Sequence, residues 1–281
     1  MNYRHAFHAG NFADVFKHAV IARILLHLRE KSAPFRVIDT HAGAGRYDLQ
    51  GPEAGRTGEW RDGIGRFMAV VWTPAIRALL APYLDALAAC NPADAVRHYP
   101  GSPLLALGLM RPQDRLVVCE LEPKAAAALV RNVGFDRRAR VVTIDGWTAL
   151  NAYIPPKERR GLVIVDPAFE APDEFSRLAQ SLESAHRKWP TGCYVLWYPI
   201  KDRSGPDALA KRLQRAGIAK VLRAELLRMP QDPDQLTGAG LIIVNPPWRL
   251  AAELKQLLPA LVSVLGRAGS GFTLDWLASE K

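Results

Sequence analysis

Short runs of β-branched and aliphatic residues recur along the chain, each closing on a polar or acidic side chain. Phe35 to Thr40, Arg115 to Glu120, Arg140 to Asp145 and Gly161 to Asp166 have this form. Apolar runs of that length predict strands buried on both faces of a parallel sheet. Three more follow, at Gly192 to Pro199, Ala219 to Leu227 and Ala239 to Asn245. Between several of them the apolar positions shift to helical spacing, over Pro123 to Val133 and Ala208 to Ala216. A longer helix is expected from Asn11 to Lys31, ahead of the first strand. This alternation predicts a doubly wound α/β fold, whose ligands lie outside the carboxyl ends of the strands where strand order reverses.

One interval is too long for a simple crossover. Roughly 75 residues separate the first two strands, where a helical crossover needs about 10 to 12. The surplus, residues 49–99, carries a helical stretch from Pro74 to Cys90 between turns rich in Gly and Pro, and reads as an inserted helical subdomain. Residues 1–48 and 100–281 then form the main domain. The crossover helix is placed at Pro103 to Met110, with Ser102 as its N-cap and Pro103 at the first helical position.

Composition narrows the class. With 49% hydrophobic residues in 281, the chain can bury a large core, which excludes a disordered or fibrous protein. A net charge of +9 favours a polyanionic partner, although a basic enzyme with a small substrate has the same balance. Between Lys201 and Arg228 eight Lys and Arg stand against three acids, and Arg131, Arg137, Arg138, Arg140, Lys157, Arg159 and Arg160 add to the positive surface. Cys90, Cys119 and Cys193 have no metal-ligand spacing, so no metal site or disulfide is expected, only buried thiols in a reducing compartment. The N-terminus, Met1-Asn2-Tyr3-Arg4-His5, lacks an apolar signal core, and no run approaches the roughly 18 apolar residues of a membrane span. A cytoplasmic protein with no membrane partner is the expectation.

The strand ends carry the chemistry. After the first strand the chain turns through His41-Ala42-Gly43-Ala44-Gly45-Arg46-Tyr47-Asp48, where small residues let a ligand approach the backbone. Asp48 stands where a dinucleotide fingerprint needs its third glycine, so the turn alone is equally a turn without ligand. Glu120 is placed to bind ribose hydroxyls, with Glu122 close enough to compete for that role. Asp145-Gly146 offers an acceptor for the amine of a bound adenine and room for its ring, or else is an ordinary turn. Taken in series the three ends predict a crevice for an adenosyl group.

The fourth strand ends Asp166-Pro167-Ala168-Phe169. Methylating an aromatic amine is hard because the nitrogen lone pair is delocalised into the ring. A carboxylate and a backbone carbonyl accepting the two amine hydrogens draw that pair outward, and an aromatic face clamps the base. Asp166, the Pro167 carbonyl and Phe169 suit these tasks; in isolation they equally suit a helix cap and a core residue. Asn245-Pro246-Pro247-Trp248 is a second candidate with better lettering, but Asp166 follows Asp145 by 21 residues and Asn245 by 100. Chain order therefore selects Asp166 as catalytic, with 245–248 expected to line the same crevice.

With these residues in place, the chain resembles the RlmJ family of bacterial 23S rRNA adenine-N6 methyltransferases over nearly its whole length. The resemblance runs through Tyr3 to Asn11, Asp14-Val15, Lys17-His18, Asp39 to Tyr47, Tyr99 to Pro103, Asp145-Gly146, Trp197-Tyr198-Pro199 and Asn245 to Trp248. It implies a seven-stranded Rossmann-like methyltransferase fold with a small helical insertion after the first strand. It also implies S-adenosylmethionine as cofactor, contacted by His18, His41, Ser102, Glu120, Asp145 and Gly146 with Lys17 nearby, and Asp166 acting on the adenine. Residues 1–10 would form a mobile tail in which Tyr3 and His5 close over the target base, and Phe169 would stack on it. The implied partner is 23S rRNA before full subunit assembly; a monomer is expected because no unpaired amphipathic face stands out in the sequence.

The chain departs from the family's usual Asp-Pro-Pro-Tyr at Ala168 and Phe169. Phe keeps the stacking face; losing the proline frees backbone entropy, about 0.4 to 1 kcal/mol. A methyltransferase of another amine, such as a protein glutamine, and a catalytically impaired RNA-binding relative remain as alternatives.

Overall fold

The computed structural model describes residues 4–91 and 96–279. Tyr3 lies outside them. In chain order the strands are β1 (Arg36–Asp39), β2 (Arg46–Asp48), β3 (His98–Pro100), β4 (Arg115–Cys119), β5 (Ala139–Val142), β6 (Gly161–Val165), β7 (Cys193–Ile200), β8 (Val221–Leu227), β9 (Gly238–Val244) and β10 (Gly271–Ala278). The helices are α1 (Phe12–Arg29), α2 (Pro52–Thr57), α3 (Arg66–Met68), α4 (Pro74–Cys90), α5 (Ser102–Leu109), α6 (Pro123–Val133), α7 (Gly146–Ala152), α8 (Glu174–Lys188), α9 (Ser204–Arg215) and α10 (Leu250–Leu265).

Eight strands make one sheet in the order β10-β8-β9-β7-β6-β1-β4-β5. From β5 to β7 all neighbours are parallel, whereas β9 runs antiparallel to both β7 and β8. Strand alternation sends successive side chains to opposite faces. Val37, Leu162 and Ile164 join one core with α1, α4, α5, α6 and α10, while Ile38, Val163 and Val165 join another with α7, α8 and α9. This is the Rossmann-like methyltransferase architecture expected, with one strand more than the seven read from the sequence. The addition, β10, pairs antiparallel with β8 and forms the sheet edge, and Phe272 and Trp276 stay 43% and 47% exposed on it. A half-exposed edge strand lacks the continuous apolar run that marked the others.

α1 is buried almost all round, because α4, α5 and α10 pack on it as well as the sheet. Its N-cap is Asn11, whose side chain accepts from the Ala13 and Asp14 amides. β2 and β3 pair antiparallel, Asp48 opposite His98, and so bracket the long segment between the first two sheet strands. Within that segment α2, α3 and α4 follow one another, and Ile64, Phe67, Leu80 and Tyr83 belong to the same core as α1.

Three local readings need correction. Ser102 is the first residue of α5 rather than its cap; Gly101 takes the cap position and Pro103 sits at the second helical residue. α9 starts at Ser204, four residues before the expected Ala208. Cys119 and Cys193 are buried, but Cys90 is only partly so.

Candidate active site

A cleft of about 560 Å³ opens beyond the carboxyl ends of β1, β4 and β6, where strand order reverses about β1. His5, His18, His41, Ser102, Glu120, Asp145, Gly146 and Asp166 all line it. The architecture thus gathers residues from an N-terminal turn, a buried helix and four strand ends.

The turn after β1 forms one wall. Gly43 has a left-handed φ of 61°, and its amide donates to Glu120 Oε2 at 2.8 Å. Glu120 Oε1 accepts from the Glu122 amide, also at 2.8 Å. Glu122 itself caps α6 through the Ala125 amide, so the two neighbouring acids have different tasks. Asp145 caps α7, its Oδ2 accepting from the Thr148 amide and hydroxyl at 2.9 and 3.0 Å. Next to it a Cβ on Gly146 would stand 2.4 Å from the Thr40 carbonyl and 2.5 Å from His41 Nε2. Only glycine lets α7 start so close to the first turn.

Two histidines of the cleft, His18 and His41, are held neutral. Burial lowers His18 to about 3 and His41 to about 4, in each case against the pull of nearby carboxylates. His18 Nδ1 is 2.7 Å from the Tyr99 hydroxyl, and His41 Nδ1 is 2.8 Å from Thr40 Oγ1. The His41 ring meets Trp147 edge-on at 5.3 Å, and the Arg177 guanidinium lies 4.8 Å over the same indole.

Asp166 is ion-paired with Lys17, which also reaches Asp14 Oδ1 at 2.8 Å. Burial alone would strip the proton from Lys17, but the two carboxylates win and hold its pKa above the ordinary lysine value. Asp14 continues the chain outward, with His5 Nε2 3.0 Å from its Oδ2 and the Gly10 amide donating to the same oxygen.

Two sequence expectations are not met by this geometry. Phe169 does not line the cleft: its ring packs against Phe175 at 4.8 Å and Trp197 at 5.8 Å, on a left-handed φ of 53°. Asn245 to Trp248 does not line it either. Because β9 is antiparallel to β7, its end lies at the start of β7, and the Asn245 side-chain amide donates to the Pro190 and Gly192 carbonyls, each at 2.8 Å. That is the opposite end of the sheet.

Residues 32–278 match the family described as "Ribosomal RNA large subunit methyltransferase D, RlmJ". The chain belongs to this RlmJ family. It is 40% identical over 283 residues to ribosomal RNA large subunit methyltransferase J of Escherichia coli K12, covering 100% of both chains. The protein of the same name from Haemophilus influenzae is 38% identical over 284 residues, again covering 100% of both. The crystal structure of a Legionella pneumophila protein superposes with a TM-score of 0.88 at 32% identity, over 96% of this chain and 98% of that one.

In this member of the RlmJ family, several residues in or next to the cleft lining escaped the sequence reading. Asp39 is wholly buried at the end of β1, and burial pushes its carboxyl up to about 7, opposed by the Ser102 hydroxyl. Its position beside Thr40 was visible in the chain; its burial was not. Glu53 and Ala54 of α2 and Arg177 of α8 reach the cleft from distant segments, with no spacing to signal it. Among the described residues no cluster of side chains is suited to a metal ion, and no helix is long and apolar enough to cross a membrane.

Proposed function

We propose that the protein transfers a methyl group from S-adenosylmethionine to the N6 amine of an adenine in 23S ribosomal RNA, with the base flipped out of its stack into the cleft. The observation that carries this reading is the convergence of Glu120, Asp145 and Asp166 on one cleft at the strand-order reversal, in a chain of an rRNA methyltransferase family.

The cleft suits the cofactor. Its volume falls within the roughly 300 to 1,000 Å³ of small-molecule sites, and Gly43 and Gly146 bring backbone to its wall. Glu120 would hold the ribose hydroxyls; Asp145 and Gly146 would take the adenine ring; His18, His41 and Ser102 would complete the pocket. Neutral imidazoles at positions 18 and 41 do not repel a cationic ligand. When bound, the cofactor supplies an electrophilic methyl group.

Asp166 serves the other partner. Its carboxylate accepts one hydrogen of the target amine while the Pro167 carbonyl accepts the second, which turns the nitrogen lone pair away from the ring. Lys17 keeps Asp166 oriented through the ion pair. Extruding the base costs a few kcal/mol, which stacking partly offsets. Phe169 provides that stacking face once its ring leaves Phe175 and Trp197, and a left-handed backbone in a phenylalanine is the kind of strain that accompanies a loop shaped for a ligand. His5 already lines the cleft, and together with Tyr3 it would close over the base.

Incubating the protein with methyl-labelled cofactor and deproteinised 23S rRNA tests the reading. Label should appear in N6-methyladenine after digestion to nucleosides, and faster from naked rRNA than from intact subunits. Label found in protein, or in no nucleoside, would sink it.

A further inference from the structure

The helix α6 and the turn after it form a surface that the chemistry of the cleft does not use. Ala126, Leu129 and Val133 face the core, leaving Lys124, Val130 and Arg131 on the outside. Beyond Gly134, Phe135 is fully exposed at 104%. Arg137 is exposed just before β5, one of the sheet's two edge strands; Arg140, also exposed, shares the face of Val142 and points to the side of the sheet away from α6.

Both acids of this stretch are engaged elsewhere. Glu122 caps α6, and Asp136 grips Arg138 through both its oxygens at 3.0 and 2.7 Å. Lys124, Arg131 and Arg137 have no ion pair among the described residues. Three uncompensated cations on the same stretch of chain as a bare aromatic ring match a polyanion that also carries flat apolar faces. The surface is continuous with the cleft, since Leu121, Lys124, Ala125 and Ala128 line its rim.

We infer that the RNA strand flanking the target base runs from the cleft over α6, its phosphates against Arg131 and Arg137 and an unpaired base stacked on Phe135. This rests on the proposed rRNA methyltransferase activity and deepens it by placing the flanking strand. Lys124 and Arg131 are separated by about 10 Å along the helix at 1.5 Å per residue, close to three phosphate-to-phosphate steps of a stacked strand. A second copy of the same surface would be repelled by its own charge.

Steady-state methylation of 23S rRNA by the wild type, by an Arg131→Gln/Arg137→Gln variant and by Phe135→Ala tests this. The double variant should raise KM for RNA about five- to tenfold, and its log–log salt dependence should be shallower by about 1.4, at roughly 0.7 per lost contact to a single strand. Phe135→Ala should raise KM about five- to tenfold, on the scale of one lost stacking contact. In both, kcat should stay within about twofold, and cofactor affinity and thermal stability should be unchanged, which separates docking from folding. Wild-type KM and salt slope in both variants would overturn the inference while leaving the methyltransferase reading intact. A loss confined to intact subunits, absent with naked rRNA, would assign the surface to a ribosomal protein and overturn it too. A wild type that methylates no RNA would bring down the proposed activity itself, and this inference with it.

Discussion

Two tetrapeptides of similar lettering leave the sheet at strands separated only by β7. Asp166-Pro167-Ala168-Phe169 follows β6, and Asn245-Pro246-Pro247-Trp248 follows β9. Each begins its turn near a residue with a left-handed backbone, Phe169 at 53° and Asn245 at 51°. They nevertheless emerge at opposite ends, because β6 runs parallel to β7 and β9 antiparallel to it. At one end the leading side chain meets a buried lysine and an open cleft; at the other it ties down two backbone carbonyls. A motif's letters therefore specify a turn, and the direction of the strand before it decides whether that turn can do chemistry.

The largest contrast should come from removing the two leading side chains. Asp166→Ala is expected to lower methyl transfer to rRNA by at least about 10² to 10³, the loss usual for a positioned polar group acting on the reacting atoms. Asn245→Ala should keep kcat within about twofold and lose about 2 kcal/mol of stability, from two hydrogen bonds and an alanine forced into the left-handed region. An inactive Asn245 variant beside an active Asp166 variant would reverse the comparison.

Acid should distinguish the two ends next. His18 and His41 take up protons near 6.5 when unfolded but only near 3 and 4 in the fold, so the unfolded chain holds more protons between those values. Stability must then fall as pH drops below about 6.5. Asp39, raised by burial to about 7, keeps a proton in the fold that the unfolded chain gives up near 3.8, so it offsets one of the two; Glu174, also raised by burial, trims the slope further. These four groups together contribute a loss of up to about 1.4 kcal/mol per pH unit near pH 5; His8, raised by Glu59, opposes it just below pH 6.5, and carboxylates held low by ion pairs, Glu253 at about 2 foremost, steepen it below about pH 5. Hydrogen exchange should show protection fading first around β1 and α1. A melting temperature that is flat or rising from pH 6.5 to 4.5 would contradict this account.

The smallest contrast concerns the two aromatic residues that close the tetrapeptides. Phe169→Ala gives up ring contacts with Phe175 and Trp197 and should cost about 1 to 3 kcal/mol in a denaturant titration. Trp248 is 83% exposed, with Arg249 over its ring, and its removal should stay within about 0.5 kcal/mol. Equal effects would mean that Phe169 is not held where it is described.

The same contrast marks how far sequence alone reaches. Seven strands and the cleft-lining positions at 41, 120, 145 and 166 are legible because buried apolar runs and their polar ends are local patterns. The sense of β9 is not, since a run buried on both faces reads alike in either direction. The orientation of Phe169 depends on Phe175 and Trp197, which arrive from other segments. Nothing in the spacing of Lys17 tells that α1 is buried on all sides and carries this cation to Asp166.

β10 has a consequence for biosynthesis. Until Gly271–Ala278 leave the ribosome, the outer backbone edge of β8 has no partner, and Arg223 lacks Asp275, to which it is joined by two hydrogen bonds of 2.8 Å. A nascent chain with every other sheet strand in place would still present an open edge that invites another chain to pair. An unpaired β8 edge would thus mark a chain whose β10 has not yet docked, at the sheet edge remote from β1 and the cleft.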